Sequence, residues 1–232
     1  MDLSRSEEVS PCPDSAGGKS NQHKSPDSAV EVTVLFPCLN EAETIELCVR
    51  QAREALEQAG IQGEVLVVDN GSTDASVERA RDAGARVIHE MVQGYGRALR
   101  TGFRNAQGRY IIFLDGDLTY DPGLVPAFTQ ALREGAEVVI GNRFRGGIEP
   151  GAMPWLHRYF GTPALTQLAR LLFGCRTGDI NCGMRGLRRE VLERMRFRSE
   201  GMEFASEMMI QAAHQGMKVA ELPIPYRRDR RE

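Results

Sequence analysis

The feature that most restricts what this chain can fold into is a strict alternation of two hydrophobic periods. VTVLF (Val32 to Phe36), EVLVV (Glu64 to Val68), RVI (Arg86 to Ile88), YIIFL (Tyr110 to Leu114) and AEVVIG (Ala136 to Gly141) are short, β-branched apolar runs. Each reads as a strand buried on both faces. Between the first two, Ile45, Cys48, Val49, Ala52, Leu56 and Ala59 recur at helical spacing. Helices are predicted from about Asp74 to Ala83, from Tyr95 to Ala106, and between the fourth and fifth runs. Buried strands alternating with amphipathic helices form βαβ units, so the expectation is an α/β fold with a mostly parallel, Rossmann-like sheet flanked by helices. At 232 residues, 41% of them hydrophobic, the chain can bury one sizeable core, which favours a single domain.

The flanks are less regular. Residues 1–29 are rich in Ser, Pro, Asp, Gly and Lys, and are expected to form a disordered tail. In the later part, Trp155 to Phe173 reads as a helix with Leu165, Leu168, Leu171 and Leu172 on one side. Trp155 itself suits either a core or a membrane-facing edge. Cys175 to Arg185 reads as a loop, Glu190 to Met195 and Glu203 to Gln215 as helices. Val219 to Tyr226 contains two prolines and reads as an edge strand at best. The five cysteines and four histidines show no metal-ligand spacing, and a reducing cytoplasm fits them. No run approaches the roughly 18 apolar residues of a membrane span, and no signal peptide is visible, so a soluble chain is expected.

Charge is distributed unevenly. Net charge is −3, which implies no general attraction to nucleic acid. From Arg143 onward, however, there are 16 Lys/Arg against 10 Asp/Glu, and before it 13 against 22. Such a split points to two partners, one of them anionic. The run Arg185, Arg188, Arg189, Arg194, Arg196 and Arg198 reads either as a solvated face or as a site for an anionic lipid or phosphate.

In parallel sheets, ligands bind beyond the carboxyl ends of the strands. There the sequence places Pro37, Asn40 and Glu41 after the first strand and Asp69 to Asp74 after the second. Asp115-Gly116-Asp117 follows the fourth, and Asn142 and Arg143 the fifth. Asn40 and Glu43 have the spacing of a capping box, and Ser72, Thr73 or Asp74 can cap the second helix. Asp115 and Asp117 do not fit a capping role, because two carboxylates after a fully apolar strand repel each other and are costly to desolvate. A hard divalent cation, Mg²⁺ or Mn²⁺, resolves that conflict. Asp69 suits either a ribose or base acceptor or a turn residue. Gly94-Tyr95-Gly96-Arg97 either lets backbone approach a phosphate or sugar, or makes a turn before a helix.

The ordered series VTVLFPCLNEAETI, VLVVDNGSTD, GYGRALRTGF and YIIFLDGDLTYDP resembles the family 2 glycosyltransferases of GT-A fold. GNRFRGGIEPGAMPWLHRYFG, GDINCGMRGLRREVL and GMEFASEMM are similar to the branch of dolichyl-phosphate mannose and glucose synthases and their bacterial polyprenyl-phosphate relatives. The resemblance covers about residues 32–226. It implies a catalytic domain over 30–232, with a nucleotide-sugar half at about 30–142 and an acceptor half at about 143–232. It implies that Pro37, Asn40, Glu41 and Asp69, with Gly94 and Arg97 beside them, bind a nucleotide-diphosphate sugar of GDP-mannose or UDP-glucose type. Asp115 and Asp117 would hold the metal and diphosphate. Arg143 and Arg185 would meet the acceptor phosphate, with Gly183 beside them, and Asp117, Asp179 and Glu207 would be catalytic. Relatives usually continue past this point with a basic loop and often with transmembrane helices, which implies acceptor-binding segments beyond Glu232.

Three functions remain open on the sequence. The first is an inverting, metal-dependent transferase to a polyprenyl or dolichyl phosphate, peripheral to the cytoplasmic face of the membrane. The second transfers to a saccharide hydroxyl in cell-envelope polysaccharide synthesis, and needs Glu207 or Asp179 as a base. The third is an inactive nucleotide-sugar-binding module.

Overall fold

The computed structural model describes residues 30–230. The tail expected at 1–29, with Cys12 and His23, lies outside the described residues. The strands are β1 (Val32–Cys38), β2 (Gly63–Asp69), β3 (Arg86–His89), β4 (Tyr110–Phe113), β5 (Val138–Asn142), β6 (Arg185–Arg188) and β7 (Val219–Pro223). The helices are α1 (Ile45–Gln58), α2 (Ser76–Asp82), α3 (Tyr95–Asn105), α4 (Val125–Arg133), α5 (Arg143–Gly146), α6 (Thr162–Phe173), α7 (Arg189–Arg194) and α8 (Phe204–His214). Every strand expected from the apolar runs is present, with ends shifted by at most two residues. The core they build is continuous across both faces of the sheet.

The sheet runs β3-β2-β1-β4-β6-β5-β7. All pairings are parallel except those of β6, which lies antiparallel between β4 and β5. β6 is the one strand that the periodicity does not announce. RGLR carries three arginine or glycine positions in four, and its pairing surface comes from two neighbours rather than from its own side chains. β7 is the edge strand its prolines require, pairing only with β5.

Chain order places β2 on one side of β1 and β4 on the other, so a crevice opens between their carboxyl ends. Pro37 marks its mouth. The β1–β4 pairing ends at Leu35 with Phe113, while β1 follows β2 on to Cys38 and Asp69. The missing N–H of Pro37 therefore falls where β4 has already turned away into the Asp115–Asp117 loop.

Candidate active site

Three loops meet at this crevice and are fastened to one another by side chain–backbone hydrogen bonds. Asn40, with a positive φ of 55°, does not cap α1; the capping residue is Thr44, which makes no side-chain cap. Instead Asn40 accepts from the Thr73 N–H at 2.8 Å, and its own N–H donates to the Ser72 hydroxyl at 3.0 Å. The Glu41 N–H donates to Ser76 Oγ at 2.7 Å, and the Ala42 N–H to Asp74 at 3.1 Å. The expected capping box is thus a clasp between the β1–α1 and β2–α2 loops. Ser72 and Thr73 likewise serve that clasp, and Asp74 serves both it and the start of α2, where it accepts from the Ser76 N–H at 3.0 Å.

Asp69 is buried at the end of β2. Its carboxylate accepts from the Ser72 N–H at 3.0 Å, from the Gly71 N–H at 3.4 Å, and faces His89 Nδ1 at 3.0 Å. Burial raises its pKa, but the bonds from Ser72, His89 and Gly71 outweigh this and hold it below the ordinary 3.8. The turn role is therefore real. A carboxylate can accept about four hydrogen bonds, so a ribose or base contact is compatible with it.

Asp115 and Asp117 follow β4 directly. The buried Tyr95 hydroxyl donates to Asp115 Oδ1 at 3.0 Å, and the desolvated phenol is held far above its usual pKa. A Cβ on Gly183 would come within 2.6 Å of Asp115 Oδ2, so Gly183 leaves the space that this oxygen uses. Asp117 Oδ1 accepts from the Thr119 N–H at 3.0 Å and hydroxyl at 2.6 Å. Between them, Leu118 has a φ of 64°. Leucine pays about 1–2 kcal/mol for that left-handed conformation. Leu118 and Asn40 are the two non-glycine residues with positive φ among those described, and both sit in loops at the crevice. Strain is stored where the acidic loop is shaped.

The pair suits a divalent cation by the chemistry of its donors. Among the described residues, no group of three or more His, Cys, Asp or Glu is gathered to hold a metal. Two carboxylates completed by substrate phosphate oxygens are the shell that Mg²⁺ commonly takes.

The other expected site residues are differently employed. Arg143 and Asp179 form a buried bidentate pair, with both N···O distances 2.7 Å, and the Arg143 N–H adds a third bond at 3.2 Å. Asp179 is fully buried, so its expected role as a base is replaced by neutralising Arg143. The Arg143 guanidinium also lies over the Tyr226 ring at 5.0 Å. Arg185 is 1% exposed and donates to the carbonyls of Cys182, Ile180 and Ala205. It cannot meet an acceptor phosphate. Arg188 donates to the Leu132 and Ala136 carbonyls and Arg189 to those of Gly108 and Ala106, while Arg194 pairs with Glu137. Arg188 and Arg189 thus satisfy carbonyls at and beyond the ends of α4 and α3, whereas Arg194, Arg196 and Arg198 are exposed, so the second half of the stretch is the solvated face.

Glu207 accepts from the Arg198 and Ser199 N–H groups, both at 2.9 Å. Burial raises its pKa, and these bonds more than compensate and lower it. It shapes the loop that closes on Gly94 and Gly96. A Cβ on either glycine would lie 2.5–2.6 Å from the Glu200 or Ser199 carbonyl, and the Gly96 N–H donates to Glu200 at 2.8 Å. The glycines admit protein backbone at the turn that opens α3, the second of the two readings the sequence allowed. Arg97, expected beside the nucleotide, pairs with Glu200.

Four contributors escaped sequence reasoning. Tyr95 is hidden inside the GYGR string. Asn70 accepts from the Gly94 N–H at 2.7 Å and donates to Glu90 and Val92 at 2.9 Å, pinning the loop before α3. Tyr120 accepts from the Gly183 N–H at 2.7 Å. The segment after β7 returns to the acidic loop, where the Arg227 N–H donates to the Thr119 carbonyl and its side chain pairs with Asp121 at 2.6 Å. The Arg230 N–H lies 3.5 Å from the Asp117 carbonyl. The available signal was adjacency in sequence: Asn70 to Asp69, Tyr95 to Gly94 and Gly96, and Tyr120 to the Asp115–Asp117 string.

Residues 33–196 match the family described as glycosyl transferase family 2. The low-salt glycan biosynthesis hexosyltransferase Agl6 of Haloferax volcanii is 40% identical over 86% of this chain and 48% of its own length. A dolichyl-phosphate hexose transferase of the same organism is 38% identical over 72% of this chain and 71% of its own. The chain thus spans about half the length of the first of these relatives. Among solved structures, glucosyl-3-phosphoglycerate synthase from Mycobacterium tuberculosis, in complex with Mn²⁺, UDP and glucosyl-3-phosphoglycerate, superposes with a TM-score of 0.68 at 26% identity. That match covers 88% of this chain and 73% of the other, and the shared fold is GT-A.

Proposed function

This chain belongs to glycosyltransferase family 2, and on that premise we propose that it moves a hexose from a nucleoside-diphosphate sugar to a polyprenyl phosphate. Residues 30–142 supply the donor side and residues 143–232 the acceptor side. The observation that carries the choice of acceptor is the employment of the two candidate bases. Asp179 is sealed in an ion pair, and Glu207 holds backbone amides. A hydroxyl nucleophile needs a positioned base, whereas a phosphate monoester is already an oxyanion at neutral pH. The relative named as a dolichyl-phosphate hexose transferase supports the same choice.

On this reading Pro37, Asn40, Glu41 and Asp69 line the nucleotide side. Asp115 and Asp117 hold Mg²⁺ or Mn²⁺, which supplies charge neutralisation for the departing diphosphate. Tyr95 orients Asp115, Thr119 orients Asp117, and Gly183 keeps the approach to Asp115 open. The acceptor oxygen attacks the anomeric carbon from the face opposite the diphosphate, with inversion. Positive charge for the acceptor phosphate comes from the exposed Arg230, whose backbone lies beside the Asp117 loop, in place of Arg143 and Arg185. No helix among the described residues is long and apolar enough to cross a membrane. Contact with the bilayer, at its cytoplasmic face, is peripheral for this part of the chain.

The test is a donor panel with Mn²⁺, offered a short-chain polyprenyl phosphate, 3-phosphoglycerate or a free sugar, with product followed by mass. Transfer to the lipid phosphate is expected in the wild type, and Glu207→Gln should retain it within about tenfold, since no base is removed. Transfer only to a hydroxyl, abolished in Glu207→Gln, would overturn the acceptor assignment. Donor binding without transfer to any acceptor would show an inactive binding module.

A further inference from the structure

The helix α6 is packed the wrong way round for a helix on a water-exposed protein. Its buried positions are Thr162, Thr166 and Ala169, three small residues. Its large apolar side chains face outward: Leu165, Leu168 and Leu172 form a stripe at helical spacing, with Leu171 beside them at 82% exposure. The expected apolar side of this helix exists, then, but it is turned to solvent. The π-helical segment His157–Gly161, which runs directly into α6 as the expected helix from Trp155 requires, continues the surface. Trp155, Tyr159 and Phe160 are each more than half exposed, and the Trp155 ring lies 6.3 Å from Tyr159 and 5.5 Å from Phe160. A contiguous apolar patch of this kind marks an interaction surface.

Charge identifies the partner. From Pro150 through Gly178 there is no Asp or Glu, while Arg158, Arg170 and Arg176 are present. Arg170 and Arg176 are exposed, and Arg158 lies over the Tyr159 ring at 5.5 Å. Leucines flanked by aromatic rings and arginines, without acids, are the composition of a segment lying in the plane of an anionic lipid surface. A second copy of this chain docked on the same face would bring these like charges together.

We propose that the outward face of α6, with the helical Trp155–Phe160 segment that leads into it, is the surface on which this protein docks to an anionic lipid leaflet. The surface is joined to the site. Thr166 Oγ accepts from the Ile180 N–H at 3.4 Å, and the Cys175 N–H donates to the Ala169 carbonyl, so α6 is fastened to the loop carrying Asp179. Through the Arg143–Asp179 pair that loop is fixed to the end of β5. Docking through α6 therefore holds the acceptor side at the bilayer, which deepens the lipid-phosphate reading and rests on it for its purpose.

Trp155 is the only tryptophan of the chain, so its emission reports on this face directly. Sedimentation and fluorescence would be measured with vesicles of phosphatidylcholine alone and with added phosphatidylglycerol, in the absence of substrates. Binding to the anionic vesicles with a blue shift of Trp155 is expected. Leu171→Gln/Leu172→Gln and Arg170→Gln/Arg176→Gln should each weaken partition by about tenfold or more. Both variants should bind UDP with Mn²⁺ as the wild type does. They should also keep transfer to a water-soluble short-chain prenyl phosphate while losing transfer to an acceptor embedded in vesicles. Failure to bind anionic vesicles would overturn the docking surface whatever the transfer assay shows. So would a dimer in light scattering whose Trp155 is already blue-shifted without lipid and that Leu171→Gln/Leu172→Gln dissociates. Vesicle binding with no transfer to any lipid phosphate would instead overturn the acceptor reading and leave the surface standing.

Discussion

The stretch before Arg143 and the stretch after it use charge in opposite ways. In the first, acids stand at or just after strand ends and are shaped by short-range bonds: Asp69 by Gly71 and Ser72, two and three residues on, Asp117 by Thr119, and Asp74 by Ser76. Asp69 and Asp117 stand at the crevice beyond β1, β2 and β4, where the proposed cation and diphosphate would sit. In the second, arginines reach across the fold. Arg185 reaches the Ala205 carbonyl on α8, Arg188 that of Leu132 on α4 and Arg189 that of Gly108, and Arg143 is closed on Asp179. A basic surplus counted from sequence is therefore only partly a basic surface: Arg145, Arg170, Arg176, Arg196, Arg198 and Arg230 are exposed, whereas Arg143 and Arg185 are buried. Those two, with Arg188 and Arg189, are fasteners inside the fold.

The comparison can be broken most severely at Asp117. Asp117→Asn keeps an oxygen for Thr119 but removes the charge that a cation needs. Transfer should fall by about a thousandfold or more, while the urea midpoint moves little. Preserved turnover in the presence of a chelator would show that the first region's acids are as structural as the second region's arginines. Next in size is Arg143→Ala, which strands a fully buried carboxylate and should cost about 3–5 kcal/mol in urea denaturation. Arg143→Met with Asp179→Leu should recover most of that loss, because the buried charge is gone. A single variant as stable as the wild type would mean that the pair is exposed in solution and available to substrate.

The smallest effect sharpens the role of Asp69. Its folded pKa is depressed, so its stabilising contribution is present above the ordinary 3.8 and is lost as pH falls through the folded value. Asp69→Asn should flatten the acid limb of the stability curve below about pH 4. It should also weaken nucleoside diphosphate binding by about 1–3 kcal/mol in calorimetry if Asp69 receives the ribose or base. A flattened acid limb with unchanged affinity would leave Asp69 a turn residue alone.

Five strands, their order of appearance, and the acids that follow them were legible because each depends on local pattern. A buried parallel strand needs a continuous apolar run, and its carboxyl end is where a crossover begins, so VTVLF, EVLVV and YIIFL announce both fold and site position. The family resemblance was carried by the same residues, and the match over 33–196 bears it out. What only the tertiary structure decided concerns partners distant in sequence. β6 exists because β4 and β5 flank it. Arg143 meets Asp179 across 36 residues, and Gly96 meets Glu200 across more than a hundred. The outward turn of the leucines on α6 was likewise undecided by periodicity, which gives a helix one apolar side but not the side that the rest of the chain covers. Local pattern sets which elements form, because the backbone must satisfy itself within a few residues. Only packing sets which charges are consumed, because that depends on what the fold brings opposite them.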